Sequence, residues 1–113
     1  MNDEDVTFSK LKPNYKLWLE FDGKYVFGPG AYAIMNHVLK KGTLTGVTES
    51  TGMSYRYAWG VIRKIEATLG VKILVTFKGG PSGGGGAKVT DFGLKLMQMF
   101  AKVQGGFDRA SEV

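Results

Sequence analysis

A mainly α-helical chain with two small β-hairpins is predicted by three observations. Apolar residues recur at helical spacing over 31–41, 54–69 and 91–104, at about 100° per residue. Short alternating or β-branched runs flank a tight-turn dipeptide, Asp22-Gly23, and a loop containing six glycines between Lys78 and Gly86. The chain has 113 residues, 43% hydrophobic and 22% charged, which fits one domain with its own core and excludes wholesale disorder.

Residues 1–15 are polar and pass through Pro13, and are expected to form a loosely held tail or a short docking segment around Phe8 to Leu11. From Lys16 to Phe27, Leu17, Leu19 and Phe21 alternate with Lys16, Trp18 and Glu20 before Asp22-Gly23, which predicts a hairpin with Trp18 shielding its second face. Gly28-Pro29-Gly30 breaks the chain, and Ala31 to Lys41 places Ile34, Met35 and Val38 on one helical stripe closed by Gly42. Thr43 to Thr51 carries a weaker helix signal, with Thr45 as N-cap and Gly52 as stop. Ser54 is placed to cap a long helix that ends at Leu69-Gly70. Two helices joined at Gly52-Met53 make a helix-turn-helix, and the hairpin of Val71 to Phe77 with Ala87 to Thr90 makes a wing. Asp91 to Gln104 forms a final helix with Phe92, Leu96, Met99, Phe100 and Val103 on one stripe, and Phe107 falls near the same azimuth beyond Gly105-Gly106. Such an aromatic stripe exceeds the needs of one small core and predicts a dimer contact.

The fold class is therefore a winged helix-turn-helix with an extra N-terminal β-hairpin and a long C-terminal dimerisation helix. Its divisions are a tail at 1–15, a winged unit at 16–90, and a dimerisation helix with its tail at 91–113.

Net charge is +5, yet the first nine residues hold Asp3, Glu4 and Asp5 with no Lys or Arg, so residues 10–113 carry +8. A basic body points to a polyanion, with nucleic acid favoured over an acidic membrane surface. The chain has no cysteine, which excludes disulfides, cysteine nucleophiles and thiolate metal sites. No apolar run reaches the ~18 residues of a membrane span, and the acidic start lacks the basic n-region of a secretory signal, so a cytoplasmic, nucleoid-associated location is expected. His37 stands alone, and the body's carboxylates Glu20, Asp22, Glu49, Glu66, Asp91, Asp108 and Glu112 are scattered, so no catalytic residue, metal site or cofactor is expected.

Along the long helix, Ala58, Ile62, Ile65 and Leu69 fall on one side, with Arg56, Gly60, Arg63 and Ala67 nearly opposite. The first side wants a core. The second has Arg56 and Arg63 about two turns apart, with Gly60 removing a side chain between them. An α-helix fits the major groove of B-DNA, where Arg reads guanine through a bidentate pair, while Tyr55, Tyr57 and Lys64 reach phosphates. The glycine loop lies between Lys78 and Lys88, and bare backbone N–H groups with a lysine at each end suit a backbone or minor-groove contact. It is not a nucleotide loop, because Gly86 is followed by Ala87, Lys88 and Val89 rather than Lys then Ser or Thr.

Four stretches carry a resemblance to a known family: LWLEFDG with VFGPG (Leu17 to Gly30), GMSYRYAW (Gly52 to Trp59), LGVKIL (Leu69 to Leu74) and GGPSGGGGAKVTDFG (Gly79 to Gly93). Over roughly residues 16–104 the chain resembles the DNA-binding domain of the molybdate-responsive ModE-type regulators, related to LysR-type winged helices. That resemblance implies a homodimer on palindromic double-stranded DNA. Ser54, Tyr55 and Arg56 then match the start of the recognition helix, and Gly83, Gly84, Gly85 and Gly86 with Lys88 match the wing. The family's dimers use terminal helices, which suits the Phe92–Phe107 stripe. Two departures stand out: Thr45-Gly46-Val47-Thr48 replaces the family's S-x-A-A, and a C-terminal oxyanion-binding domain does not follow before Val113. Sensing of molybdate or another oxyanion is not expected within this chain. The competing expectations are an architectural protein that coats DNA without reading it, and an interaction module that uses the same fold without nucleic acid.

Overall fold

A computed structural model describes residues 2–78 and 85–112. Its elements are α1 (Asp3–Ser9), β1 (Leu19–Phe21), β2 (Lys24–Phe27), α2 (Pro29–Lys41), α3 (Val47–Thr51), α4 (Tyr55–Leu69), β3 (Leu74–Phe77), β4 (Gly86–Val89) and α5 (Asp91–Ser111). Both strand pairs are antiparallel. In the first, Asp22 and Gly23 both take positive φ (50° and 78°), the backbone that a two-residue hairpin turn demands. The α3–α4 pair followed by the β3–β4 hairpin has the arrangement of a winged helix-turn-helix.

The core forms around α2, which touches α3, α4, α5, β2 and β4. Ile34, Met35 and Val38 of α2 meet Ala58, Ile62 and Ile65 of α4, Ile73 and Leu74 at the wing's first strand, and Met97 and Phe100 of α5, all buried. Burying one such side chain contributes roughly 1.5–3 kcal/mol, so the apolar stripes of three helices hold the wing and the helix pair as one unit. At the base of α5, Thr90 caps the helix by accepting from the Gly93 N–H at 3.0 Å and donates to the Lys72 carbonyl at 2.8 Å. A Cβ at Gly93 would come within 2.6 Å of the Ile73 carbonyl oxygen and 2.9 Å of Met35 Cε and Val89 Cγ1. Gly93→Ala is therefore expected to cost about 1–3 kcal/mol through overpacking against backbone that cannot yield, measured by the urea midpoint at unchanged slope.

Several boundaries differ from expectation. Helix α2 starts at Pro29, not beyond it, because a proline at the first helical position loses no hydrogen bond and arrives with helical φ. The N-cap of α3 is Gly46 (φ 82°) rather than Thr45, whose carbonyl is instead 2.8 Å from His37 Nε2. That carbonyl can only accept, so Nε2 donates to it, and Nδ1 lies in hydrogen-bond contact with the Ser50 hydroxyl at 2.5 Å. The buried His37 thus ties α2 to both ends of a five-residue helix too short to hold itself. Gly105-Gly106 does not interrupt α5, which continues to Ser111.

The N-terminal segment contains a helix where a tail was expected. Asn2 Oδ1 accepts from the Asp5 N–H at 2.8 Å, and three acidic residues in the first turn complement the helix dipole. No residue of α1 is buried. Beyond it, Tyr15 docks on the far part of α5: its ring lies 5.0 Å from that of Phe107, and its hydroxyl bonds the Asp108 carboxylate and the Gln104 carbonyl. The bond to Asp108, then partial desolvation and the carboxylate's charge, push the Tyr15 pKa up to about 12. A raised phenol pKa means the contact is intact below pH 10 and lost as pH rises towards 12. In an alkaline titration followed by phenolate absorbance, one tyrosine is expected to ionise last, and Tyr15→Phe to remove that step.

Helix α5 also divides its apolar surface. Gly93, Met97 and Phe100 face the chain's own core, whereas Phe92, Met99, Val103 and Phe107 are exposed and Leu96 is half-buried. Phe100, expected in the dimer stripe, is only 1% exposed: it packs edge-on against Phe27 at 5.5 Å and stacks on Tyr32 at 5.2 Å. The last buried core residue of α5 is Phe100, so the remaining turns project. The radius of gyration, 18.2 Å, exceeds the roughly 13 Å of a compact chain this long.

Candidate nucleic-acid interface

Helix α4 presents a buried side, an outer side and two flanks. Its buried side is Ala58, Ile62 and Ile65, with Leu69 half-buried, as its periodicity predicts. Its outer side carries Arg56, Gly60, Arg63 and Ala67, all exposed. Ser54 sits at the N-cap, where Oγ accepts from the Tyr57 N–H at 3.1 Å, and Gly70 (φ 70°) closes the other end. Ser54 Oγ therefore has a structural duty as well as a place at the helix tip.

The two flanks differ. Towards the wing, Tyr55, Trp59 and Arg63 stand one turn apart: Tyr55 meets Trp59 edge-on at 6.5 Å, and the Arg63 guanidinium lies 5.6 Å from the Trp59 ring centre. A cation over an indole is held in place while its outer N–H groups stay available, which lowers the entropy lost on binding. Towards the first hairpin stand Tyr57 and Lys64, both exposed. Arg63 thus belongs to the outer side and to the wing flank together.

Between that flank and the wing opens a groove of about 530 Å³, bordered by Tyr55, Trp59, Arg63, Thr76, Phe77 and Lys78, with Thr43 and Thr45 at its end. None of its lining residues is acidic. Gly85 and Gly86 line it, and a Cβ at Gly86 would fall 2.3 Å from Phe77 Cζ, so a bare backbone lets the Phe77 ring lie across the strand. Lys88 pairs with Val75 across the hairpin and is exposed, although it does not border the groove. Gly83 and Gly84 lie outside the described residues.

The one carboxylate on α4, Glu66, is bonded to the start of the wing. Its Oε2 accepts from the N–H groups of Ile73 and Leu74 at 2.8 and 3.2 Å, and Oε1 lies 3.6 Å from Lys72 Nζ. Glu66 therefore fixes the angle between α4 and the wing and adds no negative charge to the groove. Trp59, Phe77 and the threonines of the groove were missed as site residues by the sequence reading. Trp59 alone had a local signal, four residues from both Tyr55 and Arg63. Among the described residues, no three potential metal ligands gather, and no helix is long and apolar enough to cross a membrane.

No protein-family model matches the chain. Over 84 residues, 74% of its length, it is 31% identical to the DNA-binding transcriptional dual regulator ModE of Escherichia coli K12. Similarity of the same identity and extent links it to the transcriptional regulators ModE of Shigella flexneri and Yersinia pestis. The chain spans about a third of the length of these curated relatives. Homology to ModE regulators thus covers about three-quarters of this chain.

Proposed function

We propose that the chain is a sequence-specific double-stranded DNA-binding transcription regulator acting as a cytoplasmic, nucleoid-associated homodimer, by binding and not by catalysis. Helix α4 enters the major groove, and the wing from Lys78 to Lys88 follows the flanking backbone or minor groove. The observation that carries this reading is the acid-free groove joining the outer side of α4 to the wing. Similarity to regulators named for DNA binding supports it. Arg56 reads a base edge, Gly60 lets the helix approach, Arg63 works from its seat on Trp59, and Tyr55, Tyr57, Lys64, Lys78 and Lys88 meet phosphates. The exposed Phe92, Met99, Val103 and Phe107 with Leu96 pair two copies, so that two α4 helices address a palindromic site.

Selection of bound sites from a random duplex pool tests the proposal. Two half-sites about 34–36 Å apart are expected, and enrichment of no motif would favour a DNA-coating role, which the +8 body also suits. Arg56→Ala should cost about 1–3 kcal/mol and relax preference at one base pair. Lys88→Ala should weaken every sequence alike and flatten the salt dependence. Equal loss on all sequences for Arg56→Ala would remove its base-reading role.

A further inference from the structure

On the flank of α4 away from the wing lies a second cleft, of about 240 Å³, which shares only Tyr57 and Lys64 with the proposed DNA contacts. Its walls come from three elements: Tyr25 and Val26 of β2, Ala31 at the start of α2, and Val61, Lys64 and Ile65 of α4. Met53, Tyr57 and Thr68, with Gly28 and Gly30, complete the lining. Position 28 takes a glycine because the Tyr25 hydroxyl occupies the space where a Cβ would stand, although its φ of −134° suits any residue. No lining residue is acidic. The one ion pair among the described residues joins Lys72 to Glu66, so Lys64 borders the cleft without a carboxylate partner there.

An apolar chamber with one ammonium and three hydroxyls at its edge has the make-up of a small-molecule site, and its volume lies just below the ~300–1,000 Å³ of such pockets. We propose that this cleft binds a small organic anion, a carboxylate on a flat apolar body. The body lies between Val26, Met53 and Val61, and the carboxylate accepts from Lys64 Nζ and a tyrosine hydroxyl. Lys64 and Tyr57 are also phosphate contacts in the reading above. An anion that engages them competes with the DNA backbone, so ligand and operator weaken one another reciprocally. The site itself is independent of DNA binding; the competition rests on that reading.

Benzoate is a suitable probe, with benzamide as its neutral counterpart, followed by NMR on the full chain without DNA. Saturable shifts of the Met53 methyl and Tyr25 ring are expected with benzoate, and binding of benzamide about tenfold weaker or more. Lys64→Met should erase that preference for the anion, and Val61→Phe should fill the chamber and abolish binding. On an operator duplex, benzoate should raise the Kd about fivefold or more, and Val61→Phe should still bind DNA but no longer respond. No saturable shift at Met53 or Tyr25, or shifts indifferent to both substitutions, overturns the site whatever the DNA result. Shifts at the cleft with an unchanged DNA Kd overturn the competition.

Discussion

Phe100→Ala is expected to destabilise the fold by about 3–5 kcal/mol, the range for emptying a buried aromatic position. The ring sits between Phe27 and Tyr32, where α5 closes over α2 and the first hairpin. The cavity would open at the joint of three elements, where backbone collapse is limited. Met99, one position earlier and 58% exposed, has the opposite prospect. In the proposed dimer, Met99→Glu should keep the helical content and lose self-association, because a charge placed on its seam must be desolvated without a partner. Folding and assembly are linked by mass action, so the two are separated by measuring the unfolding midpoint against protein concentration. Phe100→Ala should lower the midpoint at every concentration, whereas Met99→Glu should abolish its concentration dependence. A Phe100→Ala protein of wild-type stability that sediments as a monomer would return Phe100 to the interface.

This contrast shows what periodicity conveys and where it stops. Spacing put Phe92, Leu96, Met99, Phe100, Val103 and Phe107 within an arc of about 100°, of which Phe100 is buried and the others are exposed or half-buried. The neighbouring arc, through Gly93, Met97 and Phe100, is the one that meets α2 and the wing. A helical wheel ranks azimuths by hydrophobicity, and it cannot say which of two adjacent apolar arcs turns towards the chain's own core. Gly93 held the missing information: small size at that azimuth marks the closest approach of two backbones.

Elsewhere the legible features were those whose cause is local. Asp22-Gly23, the Ser54 cap and the terminating Gly42, Gly52 and Gly70 each act within a few residues, and each is found where the sequence reading placed it. Helix α3 was harder, because its hold comes from His37, eight residues before Thr45 and thirteen before Ser50. A lone histidine in a helix says nothing of such a tie until the helices are packed. The site divides in the same way. Arg56, Gly60 and Arg63 share an outer side by spacing alone, whereas the groove needs Phe77 and the threonines that folding brings beside Trp59. The bonding of Glu66 to the wing strand was equally hidden, and it leaves the groove lining without a carboxylate.

Gly60→Leu is expected to separate folding from binding. Apart from its chain neighbours and the backbone of its own helix, no heavy atom of the described residues lies within 4 Å of a Cβ built at Gly60, so no packing contact among them requires a glycine there. In a helix interior glycine costs roughly 0.5–1 kcal/mol relative to alanine. Gly60→Ala should therefore raise stability by about that amount, and Gly60→Leu should fold at least as well as the parent. In DNA binding the order reverses. With α4 in a major groove, position 60 sits between Arg56 and Arg63 on the side nearest the base edges. A leucine there lifts the helix and stretches bidentate contacts that weaken steeply with distance and angle. Losing the equivalent of one bidentate pair, about 1–3 kcal/mol, predicts an operator affinity lower by roughly tenfold or more for Gly60→Leu, with Gly60→Ala between it and the parent. Non-specific affinity at low salt, set by phosphate contacts on the flanks, should change little. Thermal unfolding and binding to matched and scrambled duplexes test this together. A more stable Gly60→Leu protein with undiminished operator affinity would mean that this side of α4 does not enter a groove.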